Sequence, residues 1–196
     1  MKVGFNMNYY KEHSNDFIEG TINCDMSVQY NFFLKYLNKD SKRIMDLGFG
    51  SGRDSLYFKS KGYKVTSIDP LEEFCLKAKS LGLDDVRCIK AQEIDYNNEF
   101  DGIWACASLL HVPSSELNDV FIRCYKALRK NGVMYCSFKY GSFEGIRRER
   151  FFLDLNEESF KEYIKNTRFE IKDILITKDV RPDRNEKWLN VILKKD

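Results

Sequence analysis

Residues 44–54 read Ile44-Met-Asp46-Leu-Gly48-Phe-Gly50-Ser-Gly52-Arg-Asp54, and this stretch decides the fold. A short apolar run leads into three glycines at alternate positions, and a segment with helical spacing follows. Glycine permits a sharp turn of the backbone and lets a ligand lie directly against it. The stretch therefore predicts a buried strand and a helix joined by a tight, ligand-binding turn.

Strand and helix signals alternate on both sides of this turn. Apolar runs predict strands over 43–47, 63–69, 85–89, 100–106, 133–140, 169–176 and 188–193, the last two with no helix between them. Amphipathic patterns predict helices over 27–38, 53–61 and 70–82, one that Ser114 or Ser115 caps and Asn131-Gly132 ends, and a last one that Asn156 caps. This order predicts an α/β fold: a seven-stranded, mostly parallel sheet with helices on both faces and an antiparallel C-terminal strand.

Composition restricts the class of protein. The chain has 196 residues, 43% of them hydrophobic, and its 32 Lys and Arg against 30 Asp and Glu leave a net charge of +2. These values favour one domain with a full core and offer no basic excess for coating a nucleic acid. No apolar run approaches the ~20 residues of a membrane span, and the opening stretch lacks the apolar core of a secretory signal. We expect a cytoplasmic monomer or homodimer without membrane contact.

The cysteines and histidines give no sign of a metal site. None of the six cysteines has the C-x-x-C spacing of zinc or redox sites. The chain has only two histidines, His13 and His111, far apart in the sequence. We therefore expect that no metal takes part in the chemistry.

Two acidic residues flank the glycine turn. Asp46 precedes it on the strand, and Asp69 ends the next strand. The glycine spacing differs from the G-x-G-x-x-G of dinucleotide sites, which argues against a nicotinamide-dependent oxidoreductase. A carboxylate at Asp46 disfavours a pyrophosphate and favours a ligand that carries an ammonium and a sulfonium. A carboxylate at Asp69 can accept hydrogen bonds from both hydroxyls of a ribose.

At these residues the chain resembles the class I S-adenosylmethionine-dependent methyltransferases, over most of its length. Within that class it is most similar to the small bacterial methyltransferases of the tellurite-resistance and small-molecule type. The resemblance implies a Rossmann-like fold, S-adenosylmethionine as cofactor and S-adenosylhomocysteine as product. It also implies transfer of the methyl group to a small-molecule acceptor. Phe49 departs from the family pattern, in which a Cys or a similarly small residue is more usual.

The resemblance carries over to individual cofactor-binding residues. The glycines would admit the cofactor to the backbone, Asp69 would hold the ribose, Gln92 and Glu93 the adenine edge, and Ala105 and Cys106 the methionine end. The full set is Asp46, Gly48, Phe49, Gly50, Ser51, Gly52, Asp54, Asp69, Pro70, Gln92, Glu93, Ala105 and Cys106.

His111 follows the fourth predicted strand, at the edge of the sheet where ligands bind. An imidazole there suits a general base, because its ordinary pKa lies near neutrality. It equally suits a structural role in which the ring hydrogen-bonds to the backbone and holds the loop. Both interpretations stay open at this point.

The acceptor pocket is expected on the same edge. Residues 1–40 are predicted to be an N-terminal lid or helical segment packed on a methyltransferase domain of residues 41–196, in one domain overall. Candidates for the pocket are Tyr9, Tyr10, Met26, Tyr30, Arg147 and Arg181. The cluster of arginines around Arg147 fits a solvated face or, alternatively, recognition of an anionic substrate group.

Two other functions compete with a small-molecule methyltransferase. The first is a nucleic-acid methyltransferase acting on tRNA, but the chain has no N-P-P-Y-like tetrapeptide, no Pro-Cys dipeptide and no basic tract. We therefore do not expect nucleic acid as a partner. The second is a module that binds S-adenosylmethionine without catalysing any transfer.

Overall fold

A seven-stranded sheet forms the centre of the computed structural model, which describes residues 8–196. The strands are β1 (Arg43–Leu47), β2 (Lys64–Ile68), β3 (Asp85–Arg87), β4 (Phe100–Ala105), β5 (Leu128–Lys139), β6 (Glu144–Arg147), β7 (Arg150–Leu153), β8 (Glu170–Lys178) and β9 (Lys187–Lys194). The sheet order is β3-β2-β1-β4-β5-β9-β8, and β6 and β7 form a separate hairpin. Strands β1 to β5 are parallel, and β9 runs antiparallel between β5 and β8. The predicted α/β class and antiparallel C-terminal strand are confirmed.

Six helices and two short 3₁₀ segments accompany the strands, in addition to a helical stretch over residues 8–12. The helices are α1 (Ser14–Thr21), α2 (Ser27–Leu34), α3 (Arg53–Ser60), α4 (Glu72–Ser80), α5 (Ser114–Ala127) and α6 (Glu157–Ile164); the 3₁₀ segments are Ala91–Glu93 and Leu109–His111. Within residues 8–196, none of these helices has the length and apolarity needed to span a bilayer.

Apolar residues cover both faces of the sheet. Ile44 packs on one face in a cluster with Phe33 of α2 and Phe58 of α3. The next residue, Met45, points to the opposite face and joins a cluster that contains Phe121 of α5. Successive residues of a strand alternate between faces, so burial on both sides requires an unbroken apolar run. This explains why the central strands were recognisable in the sequence.

The N-cap predicted for α6 is confirmed, whereas both predicted ends of α5 differ from the structure. Asn156 caps α6 as expected, since its side chain accepts hydrogen bonds from the backbone of Glu158 and Ser159. The cap predicted for α5 is wrong: Pro113 occupies the N-cap position, and no side chain caps the helix. The predicted end at Asn131-Gly132 is also wrong, because α5 ends at Ala127 and the chain passes directly into β5.

The hairpin of β6 and β7 is a feature that the sequence analysis missed. Its turn consists of Arg148 and Glu149, whose φ angles are 47° and 63°. Two-residue hairpin turns of this kind need positive φ and usually carry Asn or Gly. The arginine and glutamate at these positions therefore give no turn signal.

A buried carboxylate, that of Asp54, ties α2 and β4 to the start of α3. The residue is 7% exposed, and its side chain accepts hydrogen bonds from Tyr30 Oη at 2.5 Å and Trp104 Nε1 at 2.8 Å. The adjacent Arg53 donates to it through Nε at 2.6 Å and Nη2 at 2.9 Å. A buried charge is tolerated only with such partners. The four bonds fix the first turn of α3, directly after the glycine turn.

The Tyr30–Asp54 hydrogen bond supplies a test of this arrangement. We expect Tyr30→Phe to lower the free energy of unfolding by about 1.5–3 kcal/mol, because the buried charge loses a donor. Tyr36→Phe is the matched control: its hydroxyl donates at 2.6 Å to Asp173, whose side chain is 35% exposed. Solvent replaces that donor, so the control should lose less than about 1 kcal/mol. Equal losses in urea denaturation would contradict the proposed importance of Asp54.

Candidate functional site

The glycine turn joins β1 to α3 in a conformation that favours glycine. Gly48, Gly50 and Gly52 have φ angles of 84°, 51° and 82°. The turn is anchored to the next strand, since the backbone N–H of Gly48 donates to the carbonyl oxygen of Ile68 at 2.7 Å. Side-chain-bearing residues rarely adopt this backbone region, which explains the alternate glycines.

The space around the turn is equally restrictive. A Cβ atom at Gly48 would lie 2.3 Å from Cβ of Ser108, and one at Gly50 would lie 2.9 Å from the ring of Phe17. Ser108 is itself held in place, because its hydroxyl donates to the carbonyl oxygen of Leu47 at 2.6 Å. The loop after β4 and helix α1 therefore both approach the bare backbone of the turn.

Asp69 lies beside the turn at the end of β2. Its two carboxylate oxygens accept hydrogen bonds from the backbone N–H groups of Gly50 at 3.1 Å and Leu71 at 3.0 Å. The residue is 7% exposed, and this burial raises its pKa to about 6, although the two hydrogen bonds act in the opposite direction. Each oxygen retains a second lone pair for a ligand hydroxyl.

Two cavities open at this edge of the sheet, on either side of a partition. The partition, common to both, consists of Tyr10, Phe17, Gly48, Gly50, Ala107 and His111. We call one the apolar cavity; besides Asp69, Lys90 and Gln92, its walls include Ile68, Pro70, Leu71, Phe74, Ile89, Leu109 and Val112. We call the other the basic cavity; its charged lining residues are Arg53, Asp54, Lys139, Arg150, Lys178, Asp179, Arg181 and Arg184.

The helical residues 8–12 contribute Tyr10 to the partition, and α1 contributes Phe17. The phenol oxygen of Tyr10 lies 3.0 Å from Nε2 of His111, and Arg150 Nη1 donates to it at 3.3 Å. The ring of Phe17 contacts the ring of Phe74 at a centroid distance of 5.5 Å. The N-terminal segment thus bridges the glycine turn, α4 and the hairpin strand β7.

His111 is neutral and engaged at both ring nitrogens. Nδ1 lies 2.8 Å from the carbonyl oxygen of Phe151, which can only accept, so Nδ1 carries the proton. Nε2 then accepts the hydroxyl proton of Tyr10. Burial lowers the pKa of His111 to about 4. The hydrogen bond that His111 donates to the carbonyl oxygen of Phe151 raises the pKa, and the nearby positive charge of Arg150 lowers it. In this arrangement the basic lone pair of the imidazole is occupied.

Gln29 of α2 brings a free hydrogen-bond acceptor to the basic cavity. The residue is 5% exposed and lines the cavity, yet its Oε1 has no hydrogen-bond partner among the described residues. A buried amide oxygen without a donor is costly. The oxygen is therefore suited to accept a hydrogen bond from a ligand.

Most of the residues predicted for the site line one of the cavities. They are Gly48, Phe49, Gly50, Ser51, Asp54, Asp69, Pro70, Gln92, Cys106, His111, Tyr10, Met26 and Arg181. The structure places seven others outside both linings: Asp46, Gly52, Glu93, Ala105, Tyr9, Tyr30 and Arg147.

The residues outside the linings have identifiable partners. Asp46 faces α3, where it accepts the hydroxyl proton of Ser55 at 2.6 Å, and burial raises its pKa well above the usual range. Glu93 accepts the backbone N–H of Lys90, and Arg147 pairs with Asp154 at 2.5 Å. The carboxylate of Asp46 is therefore engaged inside the fold, and its role in cofactor binding stays a prediction.

The remaining four also have places in the described fold. Gly52 is the N-cap residue of α3, and Ala105 is fully buried at the end of β4. Tyr30 stacks on Tyr57 at a centroid distance of 3.7 Å, and Tyr9 packs under the guanidinium of Arg150.

Several lining residues were missed by the sequence analysis. Phe17, Gln29, Lys139, Arg184 and Trp188 come from five separate segments of the chain. Phe17 lies outside the sequence motifs that predicted the site. The others carry no local pattern that separates a cavity residue from an ordinary helix or strand residue.

Comparison with known proteins agrees with this geometry. Residues 45–136 match the family model described as a methyltransferase domain. An uncharacterized methyltransferase of Staphylococcus carnosus (strain TM300) is 25% identical over 182 residues, which cover 87% of this chain and 87% of the relative.

Solved structures share the fold at low sequence identity. Burkholderia thailandensis 1,6-didemethyltoxoflavin-N1-methyltransferase, with bound 1,6-didemethyltoxoflavin and S-adenosylhomocysteine, has a TM-score of 0.79 at 20% identity, covering 98% of this chain and 86% of that one. The cyclase SpnF has a TM-score of 0.75 at 15% identity, covering 96% of this chain and 95% of that one. The family match and the fold support an S-adenosylmethionine-dependent methyltransferase, a class whose cofactor is S-adenosylmethionine and whose product is S-adenosylhomocysteine.

The tight contact at Gly48 can be tested against a second glycine of similar backbone conformation. Gly62 has a φ of 87°, and a Cβ there would meet nothing within 4 Å. We expect Gly62→Ala to cost about 1–2 kcal/mol of unfolding free energy from backbone strain alone. Gly48→Ala should cost about 1–3 kcal/mol more, because the methyl group overlaps Ser108. Similar losses for both variants in urea denaturation would show that the turn is not closely packed.

Proposed function

We propose that this protein transfers the methyl group of S-adenosylmethionine to a small-molecule acceptor. The observation that carries the proposal is the pair of cavities that meet at the glycine turn. The apolar cavity offers flat hydrophobic walls with one carboxylate, and the basic cavity offers polar and charged groups. A nucleoside suits the first cavity, and a polar acceptor suits the second.

The residues of the apolar cavity fit the nucleoside half of the cofactor. In this proposal, Asp69 accepts hydrogen bonds from the ribose hydroxyls through its remaining lone pairs. The amide of Gln92 borders the adenine, whose faces pack against apolar side chains such as Leu71 and Leu109. Gly48 and Gly50 present backbone without side chains to this cavity.

The methionine half of the cofactor would extend across the partition toward Gln29. The unpartnered Oε1 of Gln29 suits the α-ammonium group, which donates three hydrogen bonds. Asp46 was expected to attract this cationic end, but its carboxylate faces α3. Gln29 therefore replaces Asp46 in the proposal.

When bound, the cofactor would supply a methyl group attached to a positively charged sulfur. The lone pair of the acceptor would bond to the methyl carbon, and the electron pair of the carbon–sulfur bond would stay with the sulfur, which becomes a neutral thioether. The contribution of the protein is to align acceptor and methyl group and to exclude water. We propose that His111 takes no proton in this step. Its Nε2 is engaged by Tyr10 and its Nδ1 by Phe151, so it joins the N-terminal segment to the hairpin.

The similarity to the cyclase SpnF makes a second outcome worth testing. That neighbour is described as a cyclase, so this fold is not confined to methyl transfer, and the alternative for this chain is a module that binds the cofactor without transferring its methyl group. Incubation with methyl-labelled S-adenosylmethionine and a deproteinised cell extract separates the two functions. Label in a new small molecule supports the proposed methyltransferase, whereas cofactor binding without any transfer supports a binding module. The tellurite-resistance type stays a prediction that the same assay can examine with tellurite.

Asp69 gives the proposed cofactor site a defined pH dependence. With its pKa near 6, the carboxylate is ionised at neutral pH and becomes protonated, and a weaker acceptor, as the pH falls. The affinity for S-adenosylhomocysteine should therefore fall about tenfold between about pH 7 and pH 5. Calorimetry on Asp69→Asn should show weaker binding that no longer changes over this range. Asp84→Asn, at an exposed position, is the control that keeps the pH dependence. A flat profile in the parent protein would remove Asp69 from the site.

We also propose that residues 1–40 act as a lid on the domain of residues 41–196. Residues 1–7 of this segment lie outside the described part of the chain, but Tyr10 and Phe17 lie over the glycine turn. A Cβ at Gly50 would lie 2.9 Å from the ring of Phe17, so α1 covers the turn directly. The lid would then open for cofactor exchange and close during transfer.

The lid proposal predicts that Tyr10 slows cofactor release. Tyr10→Phe keeps the ring but removes the hydrogen bonds to His111 and Arg150. The dissociation rate of S-adenosylhomocysteine should rise by about 2- to 13-fold, the equivalent of one hydrogen bond. Tyr125→Phe makes the same change on α5, away from both cavities, and should leave the rate unchanged. An unchanged rate in Tyr10→Phe, measured by surface plasmon resonance, argues against a lid closed by this contact.

A further inference from the structure

The basic cavity contains more positive charge than its own carboxylates neutralise. Its charged lining comprises six cations and two carboxylates, the carboxylates being Asp54 and Asp179. The chain as a whole has a net charge of only +2. Positive charge is therefore concentrated at this cavity rather than spread over the surface.

Half of these cations have no acidic partner. Arg53 pairs with Asp54 at 2.6 Å, Arg181 with Asp179 at 3.3 Å, and Lys139 with Glu186 at 2.7 Å. Across residues 8–196, no carboxylate forms an ion pair with the three other cations, which are Arg150, Lys178 and Arg184. These three contribute uncompensated positive charge to one cavity.

Arg150 is held in a fixed orientation by aromatic rings. Its guanidinium carbon lies 4.6 Å from the ring centroid of Tyr9 and 5.1 Å from that of Phe152. Rings that cover the faces of a guanidinium leave its N–H groups free to donate in the plane. Nη1 donates to Tyr10, but Nε is buried and has no hydrogen-bond partner among residues 8–196. A buried N–H without an acceptor is a cost that a ligand oxygen would remove.

The opposite wall of the cavity is also ordered before a ligand binds. Asp179 accepts the backbone N–H of Arg181 at 3.0 Å and the indole N–H of Trp188 at 3.1 Å. These bonds hold the turn between β8 and β9, which carries Arg181 and Arg184 to the cavity. Asp179 is thus occupied in shaping the turn, and the neighbouring cations face the cavity.

A cationic cofactor would increase the positive charge at the basic cavity. S-adenosylmethionine would add a sulfonium charge beside a cavity that is already positive. Like charges at short range oppose each other in a partly desolvated site. An anionic acceptor would offset both the cations and the sulfonium, so cofactor and acceptor would favour each other's binding.

We propose that the acceptor carries an oxyanion group, and that Arg150 and Arg184 bind it in the basic cavity. This inference rests on the methyl-transfer function proposed above and names the class of its substrate. A guanidinium matches the paired oxygens of a carboxylate or a phosphate. Carboxylates and phosphates share these paired oxygens, and the experiment distinguishes the two groups.

The test uses the full-length protein and a deproteinised cell extract separated on an anion exchanger at neutral pH. With methyl-labelled S-adenosylmethionine, label should enter compounds from the retained, anionic fraction. Label only in compounds that pass through the column would overturn the oxyanion proposal and leave the methyltransferase function standing. No label in any fraction would overturn both. Phosphatase treatment of the retained fraction abolishes labelling if the group is a phosphate and spares it if the group is a carboxylate.

Variants of Arg150 and Arg184 test whether these two residues bind the oxyanion group. Arg150→Gln and Arg184→Gln should each raise the apparent KM for the anionic fraction by about tenfold or more. Across residues 8–196, Arg184 forms no hydrogen bond, ion pair or ring contact with the N-terminal segment, so its variant keeps the test independent of the lid. S-adenosylhomocysteine affinity should stay within about twofold of the parent in Arg184→Gln. Arg148→Gln, in the exposed turn of the hairpin and outside both cavities, is the matched control. Unchanged KM values in both cavity variants would contradict the proposal.

Discussion

A carboxylate that is removed from water must be surrounded by donors, and the donors of Asp54 come from three elements of the fold. Tyr30 reaches it from α2, Trp104 from β4 and Arg53 from the first turn of α3. Because a buried charge left without partners costs several kcal/mol, these elements are held in one relative position. The glycine turn ends where α3 begins, so its geometry depends on this cluster. Both cavities, in turn, are built around the glycine turn.

The same desolvation acts in opposite directions on the two titratable groups beside the turn. Burial disfavours the charged form, which raises the pKa of Asp69 to about 6 and lowers that of His111 to about 4. At neutral pH the result is one anionic carboxylate next to one neutral imidazole. The carboxylate therefore remains a strong acceptor for hydroxyl groups. The imidazole remains a hydrogen-bond link, with Tyr10 on one side and Phe151 on the other.

Local features of the sequence predicted the fold and the centre of the site. The alternate glycines, the acidic end of β2 and the continuous apolar strands each depend on neighbouring residues only. The direction of Asp46 depends on packing between β1 and α3, where its carboxylate accepts the hydroxyl proton of Ser55, and its role at the cofactor stays a prediction. Residues such as Gln29 and Arg184 are distant in the chain, and they line the same cavity only in the folded protein. The hairpin of β6 and β7 was missed because its turn carries Arg148 and Glu149 instead of Asn or Gly.

One chain of hydrogen bonds connects the two proposed halves of the site. Arg150 donates to Tyr10, Tyr10 donates to His111, and His111 donates to the backbone of Phe151, next to Arg150 in β7. Tyr10 belongs to the segment proposed as a lid, and Arg150 belongs to the cavity proposed for the acceptor. In the proposed closed state, the hydroxyl of Tyr10 accepts a hydrogen bond from Nη1 of Arg150, and the buried Nε has no acceptor among the described residues. The contact proposed to close the lid would therefore also help to orient Arg150 for the proposed acceptor.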